Sequence, residues 1–166
     1  TAHELCDDGN RVSPAGCGNN CKPTVRDIAL NSTAMCLLRA GEVWCTGGTG
    51  NGNLGNGSLR PSTSAERVFG LNTAEQLVAG RDHICVRLAN QGVSCWGRNL
   101  NGQLGNSDPD RRNQNEPVTV ANLTSVVHLT AGLHHTCAVK VDGSVYCWGF
   151  NEFGSLGDGS NTDRGA

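Results

Sequence analysis

His135-Thr136-Cys137-Ala138-Val139-Lys140-Val141-Asp142-Gly143-Ser144-Val145-Tyr146-Cys147-Trp148-Gly149 is the stretch on which the reading of this chain turns. Asp142-Gly143 is a two-residue turn signal, because both central residues of a type I′ turn need positive φ. Strand-like residues flank it: Cys137, Val139 and Val141 before, Val145 and Cys147 after. The spacing predicts a β-hairpin with a cysteine on each arm. Facing residues on such arms have Cβ atoms ~4.5–5.5 Å apart, near disulfide range once a small twist or change of register is made.

The same pattern stands twice earlier. Cys85 to Cys95 is followed by Trp96-Gly97, and Cys36 to Cys45 by Thr46-Gly47. A Gly-x-Leu-Gly tail recurs as Gly52-Asn53-Leu54-Gly55, Gly102-Gln103-Leu104-Gly105 and Gly154-Ser155-Leu156-Gly157. The period of about 50 residues is that of propeller blades. The expected architecture is all-β: a partial β-propeller of about three four-stranded blades behind a small cysteine-rich N-terminal knot.

Ala79-Gly80-x-x-His83, Ala131-Gly132-x-x-His135, Cys-Trp-Gly-x-Asn and Gly-Gln-Leu-Gly together resemble the repeat of the regulator of chromosome condensation family. The resemblance covers residues 25–166 and implies a propeller of four-stranded blades. The cysteine pairs resemble bacterial, exported versions of that repeat. The first copy departs most, with Asn31 at the glycine position, Ala34 at the histidine position and Thr46 at the tryptophan position.

Formal charge is nearly balanced, at −2 over 166 residues. Nucleic-acid binding needs a clustered basic face, which this composition does not offer. Among nine cysteines, six fall in the hairpin pairs Cys36–Cys45, Cys85–Cys95 and Cys137–Cys147. Their spacing is not that of zinc knuckles, and disulfides in an oxidising compartment are the expectation. The sequence shows no signal peptide, membrane-spanning run or lipidation motif, and its opening Thr-Ala-His suggests a mature or excised segment. The expected location is secreted or cell surface.

Residues 1–24 differ from the rest. Cys6-Asp7-Asp8-Gly9-Asn10 and Gly16-Cys17-Gly18-Asn19-Asn20-Cys21 read as a loop-rich disulfide knot. They resemble the end of a cysteine-rich repeat frequent in exported myxobacterial proteins. Two of Cys6, Cys17 and Cys21 are expected to pair, leaving one odd. Asp7, Asp8 and Asn10 are candidate oxygen ligands for calcium, against the alternative of turn residues capping backbone N–H groups. No other cofactor is expected.

Three repeats follow, over about 25–73, 74–121 and 122–166. Leu59 to Asn72, with Pro61, reads as a connecting loop, and so does the polar stretch Ser107 to Glu116. Pro117-Val118-Thr119-Val120 resumes a strand. Three blades do not close a ring, since propellers take ~4–8. The chain therefore reads as part of a longer ring, as one of several copies completing a ring, or as a subunit stacking head to tail.

His83 and His135 recur at equivalent blade positions, which favours structural histidines over catalytic ones, since catalytic groups converge once. His134, His135 and His128 do not chelate one ion readily, because adjacent strand residues face opposite sides. Trp96 and Trp148, with Gly97 and Gly149, read as blade-edge packing; the competing reading is an aromatic ligand platform. The loop acids select no carboxylate pair, and no Gly-x-Ser-x-Gly elbow occurs. The expectation is a non-catalytic, exported, disulfide-braced module binding a protein or surface glycan. The alternative is a structural subunit that self-associates through open blade edges or the odd cysteine.

Overall fold

The computed structural model describes residues 25–165. Cys6, Cys17, Cys21 and the candidate calcium ligands Asp7, Asp8 and Asn10 lie outside the described residues. Three antiparallel sheets follow one another along the chain. Blade 1 holds β1 (Val25–Leu30), β2 (Ala34–Arg39), β3 (Glu42–Gly47) and β4 (Ser62–Arg67) in that spatial order. Blade 2 repeats it with β5 (Ala74–Ala79), β6 (His83–Leu88), β7 (Val93–Gly97) and β8 (Gln114–Thr119). Blade 3 holds β9 (Val126–Ala131), β10 (His135–Lys140) and β11 (Val145–Gly149). Gly47 pairs with Ser62, Gly97 with Gln114, and Gly149 with Arg164. Arg164 thus occupies the ladder position at which the fourth strand starts in the other blades.

Two stretches expected as loops contain the outermost strands. Ser62–Arg67 is β4, and β8 begins at Gln114. Both lie at the rim of a blade and are only half-covered, so neither shows an alternating apolar pattern.

The hairpin turns also differ from expectation. In blade 3, Gly143 N–H donates to Lys140 O, and Lys140 N–H to Ser144 O. Gly143 has φ +83°, whereas Asp142 is not in the positive-φ region. This is a three-residue loop ending in a left-handed residue, the next most common hairpin connection. Gln91 (φ 63°) fills that place in blade 2. The two-residue turn with both φ positive is at Ala40-Gly41, where the loop between the arms is one residue shorter.

No register change is needed to bring the cysteines together. Cys36 faces Cys45, Cys85 faces Cys95 and Cys137 faces Cys147. All three pairs are disulfide-bonded, each with Cα atoms 4.1 Å apart.

The blades stack face to face, and each junction is an apolar core. Leu38, Val43 and Leu54 of blade 1 meet Leu77, Ile84, Val86 and Trp96 of blade 2. Val93 and Leu104 of blade 2 meet Leu129, Ala138 and Trp148 of blade 3. Fully burying one Val, Leu or Ile side chain contributes roughly 1.5–3 kcal/mol. Below, the back of a blade is the side toward the preceding blade and the front is the side toward the next.

Candidate functional site at the turn end of the blades

Each blade has two ends. The hairpin loops lie at one. At the other, the turns after β1, β5 and β9 meet the connections that leave β3, β7 and β11. Gly48 N–H donates to Thr33 O, Arg98 N–H to Asp82 O and Phe150 N–H to His134 O. Successive turns are bonded to one another: Ser32 N–H donates to Arg81 O, and Arg81 N–H to Leu133 O. The three turns therefore form one continuous surface around the propeller axis, beside an open cleft of about 470 Å³ lined by Leu30, Ser32, Arg81 and Leu133.

The side chains on this surface do not repeat. Ser32 donates to Asp82 Oδ1 at 2.6 Å. Arg81 and Arg98 flank Asp82 Oδ2 at 3.8 and 3.7 Å. Burial lowers the pKa of His134, and the charge of Arg98 lowers it further; Asp82 opposes the shift and Arg81 adds to it. His134 therefore stands neutral here at neutral pH, between two guanidinium groups and one carboxylate. Its ring meets Phe150 edge-on at 6.3 Å, and Phe150 meets Phe153 at 6.0 Å. Phe153 is 82% exposed and Leu133 67% exposed. The surface thus offers exposed apolar and aromatic groups beside a net positive charge.

Below this surface the blades are tied by bonds that do repeat. Trp96 Nε1 donates to Asn53 O at 3.0 Å, and Trp148 Nε1 to Gln103 O at 2.9 Å. Each indole reaches back to the Gly-x-Leu-Gly tail of the preceding blade. Both tryptophans are fully buried, so neither is a ligand platform. His83 Nε2 lies 2.9 Å from Thr136 Oγ1, across the junction of blades 2 and 3. Thr136 gives its only hydroxyl proton to Gln103 O. Its oxygen is therefore an acceptor, which sets His83 as the neutral Nε2–H tautomer.

The regulator of chromosome condensation (RCC1) repeat model matches residues 92–139, and a second RCC1 repeat model matches 74–103 and 126–155. This is a chain of RCC1-type propeller repeats. The ultraviolet-B receptor UVR8 of Arabidopsis thaliana is 30% identical over 161 residues, which is 95% of this chain and 34% of the receptor. The probable E3 ubiquitin-protein ligase HERC4 of Homo sapiens is 30% identical over 78% of this chain and 12% of the ligase. The chain thus spans about a third of the receptor and about an eighth of the ligase. The same fold is seen in Prp20p of Saccharomyces cerevisiae (TM-score 0.68, 22% identity, 81% of this chain and 33% of that one). Human WBSCR16 shares it too (TM-score 0.67, 20% identity, 83% of this chain and 37% of that one).

The RCC1-type motifs acquire physical roles from this geometry. Gly80 carries no side chain because a Cβ there would overlap the His83 ring and the carbonyl of Gly132. Asn99 and Asn151, from Cys-Trp-Gly-x-Asn, are fully buried and cap the tail turns, accepting from Leu104 N–H and Leu156 N–H. Gly97 and Gly149 start the bends into the connections, at positive φ. His135 is placed like His83 but is only half-buried, since no blade among the described residues covers its front. His128 bonds toward Gln76, away from His134 and His135, and no metal-ligating cluster occurs among the described residues. The sequence reading missed two residues that bridge the inner strands. Asp27 Oδ2 accepts Leu77 N–H. Gln76 brackets Leu129, accepting from its N–H and donating to its C=O. The turn-end surface was missed for a plain reason: its residues occupy the variable positions between repeat motifs.

Proposed function

We propose that this chain is a non-catalytic binding module that works outside the cell and takes a protein partner on the turn end of its blades. The observation that carries this reading is the run Leu133, His134, Phe150, Phe153 beside Arg81 and Arg98. Exposed aromatic and arginine side chains clustered on a rigid scaffold are the composition of binding hot spots. The chemistry that fits is a segment presenting an apolar side chain and a carboxylate. Prp20p, described with its binding to Gsp1p and histones, is a precedent for a propeller of this type serving as a protein-binding scaffold. The non-catalytic reading is supported by the buried polar groups, since His83, Thr136, Asn99, Gln103 and Asn151 are engaged in holding blades and turns. Three hairpin disulfides support a secreted or cell-surface location, because such bonds persist in oxidising compartments.

The experiment is selection of ligands from a displayed random-peptide library. Enriched peptides should carry an acidic residue next to an apolar one. They should bind Phe153→Asp and Arg98→Ala at least tenfold more weakly, with melting temperature unchanged. Peptides indifferent to both substitutions would sink the assignment.

A further inference from the structure

The turns at this end of the blades are pinned to one another, and their side chains meet across the junctions. Ser32 is held twice by blade 2: its N–H donates to Arg81 O at 2.9 Å, and its hydroxyl to Asp82 Oδ1 at 2.6 Å. Asp82 is fixed from its own blade, since its carbonyl accepts Arg98 N–H at 2.8 Å. One turn further on, His134 takes the place of Asp82 and feels the charges of Arg81, Asp82 and Arg98. All five side chains belong to the two internal junctions.

The two oxygens of the Asp82 carboxylate are treated differently. Oδ1 takes the short bond from Ser32. Oδ2 faces the guanidinium groups, with Arg81 Nε at 3.8 Å and Arg98 Nη1 at 3.7 Å. N–H···O bonds run to about 3.2 Å, so neither arginine is hydrogen-bonded to it. Arg98 Nε is buried without a partner among the described residues, and the Arg81 side chain is 58% exposed. Guanidinium–carboxylate bonds form at about 2.7–2.9 Å and are about twice as strong as neutral ones. Asp82 therefore stands about 1 Å short of the stronger partners, and its side chain's hydrogen bond goes to Ser32 instead.

We infer that Asp82 is a built-in competitor for the ligand's carboxylate and that Ser32 is the positioning residue that keeps it off the two arginines, which rests on the turn-end reading proposed above. Arg81 and Arg98 carry two positive charges and Asp82 one negative. The surface keeps a positive charge for an acidic segment as long as Asp82 stays on Ser32. Without that hydroxyl, the Asp82 carboxylate loses its bonded donor and closes on the guanidinium groups, because a carboxylate whose side chain is 12% exposed has little water to turn to. The arginines are then satisfied from within, and a ligand carboxylate gains little by docking. The apolar half of recognition, at Leu133, Phe150 and Phe153, is untouched by this device.

The test uses the full chain, first without ligand and then with one. Without ligand, NMR follows the exchange of the Arg81 Nε–H with water. Ser32→Ala should slow it severalfold, because Asp82 then bonds it. Ser32→Thr, which keeps the hydroxyl, should exchange like the parent. Unchanged exchange in Ser32→Ala overturns the inference whether or not a peptide binds. Next, a peptide selected on the parent chain, with an acidic residue beside an apolar one, is titrated into the variants. Ser32→Ala should bind it about tenfold more weakly, the loss of one charged hydrogen bond, and Ser32→Thr should match the parent. Asp82→Asn can still accept from Ser32 but lacks the competing charge, so it should bind severalfold more tightly. Adding Ser32→Ala to Asp82→Asn should then change nothing. An equal loss from Ser32→Ala in both backgrounds would mean that Ser32 itself touches the ligand, which overturns the inference and leaves the turn-end site standing. If no library peptide binds the turn end, the binding reading falls and the competitor role with it, whereas the hold of Ser32 on Asp82 is still decided by the exchange measurement.

Discussion

His83 Nε2 and Thr136 Oγ1 stand 2.9 Å apart in the sealed junction between blades 2 and 3. Burial is the main reason that the His83 pKa is lowered to about 4, with the nearby His134 and His135 adding to it and Asp82 opposing. The unfolded chain takes up this proton near pH 6.5, and the folded one only near pH 4. Between those values the unfolded state binds more protons, so stability falls as pH falls. The loss from this one group reaches about 3 kcal/mol at the acid end, from 2.5 pKa units at 1.36 kcal/mol each. The lowered pKa of His134 acts in the same direction. Urea unfolding should show a plateau above pH 6.5 and a decline toward pH 4. His83→Gln should remove most of that decline whatever it costs at pH 7.

The indole bonds can be probed singly. Trp96→Phe keeps the aromatic area but leaves the carbonyl of Asn53 without its donor, and Trp148→Phe does the same to Gln103. A buried group left unpaired costs about 1–3 kcal/mol. Trp148→Phe should cost less, because the Gln103 carbonyl keeps the Thr136 hydroxyl. Denaturant midpoints of the two variants give the comparison.

Two equivalent glycines should tolerate alanine differently. A Cβ at Gly80 would overlap both the buried His83 ring and the backbone of Gly132. At Gly132 its three nearest neighbours are all atoms of the His135 ring, which is half-exposed and not sealed in a blade junction. Gly80→Ala should therefore be severely destabilising, by more than 3 kcal/mol or so given that overpacked cores already cost ~1–3. Gly132→Ala should cost a fraction of that in the same assay.

The three disulfides should yield to reductant in a fixed order. Cys36, Cys45, Cys85 and Cys95 are completely buried in blade junctions, whereas Cys137 and Cys147 lie half-exposed on the front of blade 3. Under native conditions Cys137–Cys147 should be reduced and alkylated first, followed by mass spectrometry of the peptides. Replacing Cys85 and Cys95 by serine should cost about 2–3 kcal/mol, the value for closing so short a loop.

The sequence showed plainly what repeats and little of what does not. The hairpins, the cysteine pairs and the Trp-Gly positions recur at a fixed period, and a pattern present three times is legible without coordinates. The outer strands β4 and β8 were hidden because a rim strand such as Ser-Thr-Ser-Ala-Glu-Arg buries no clean face. The turn type was misjudged because the one-residue difference between Cys36–Cys45 and the other pairs falls inside the turn itself. The His83–Thr136 bond and the Gln76 bracket join residues more than 50 positions apart, and only blade stacking brings them together. The candidate binding surface was the least legible part. Leu133, Phe150 and Phe153 fill slots that differ from one repeat to the next between the recurring motif letters, and nothing in the chain marks these slots as neighbours.

The most direct measurement is amide exchange on the chain with and without a library-selected peptide ligand. Slower exchange confined to residues 80–82, 98–100, 132–134 and 150–153 is the predicted result, since those segments form the turn-end surface. Protection centred on the hairpin loops at 89–92 and 141–144, with the turn end unchanged, would contradict the account.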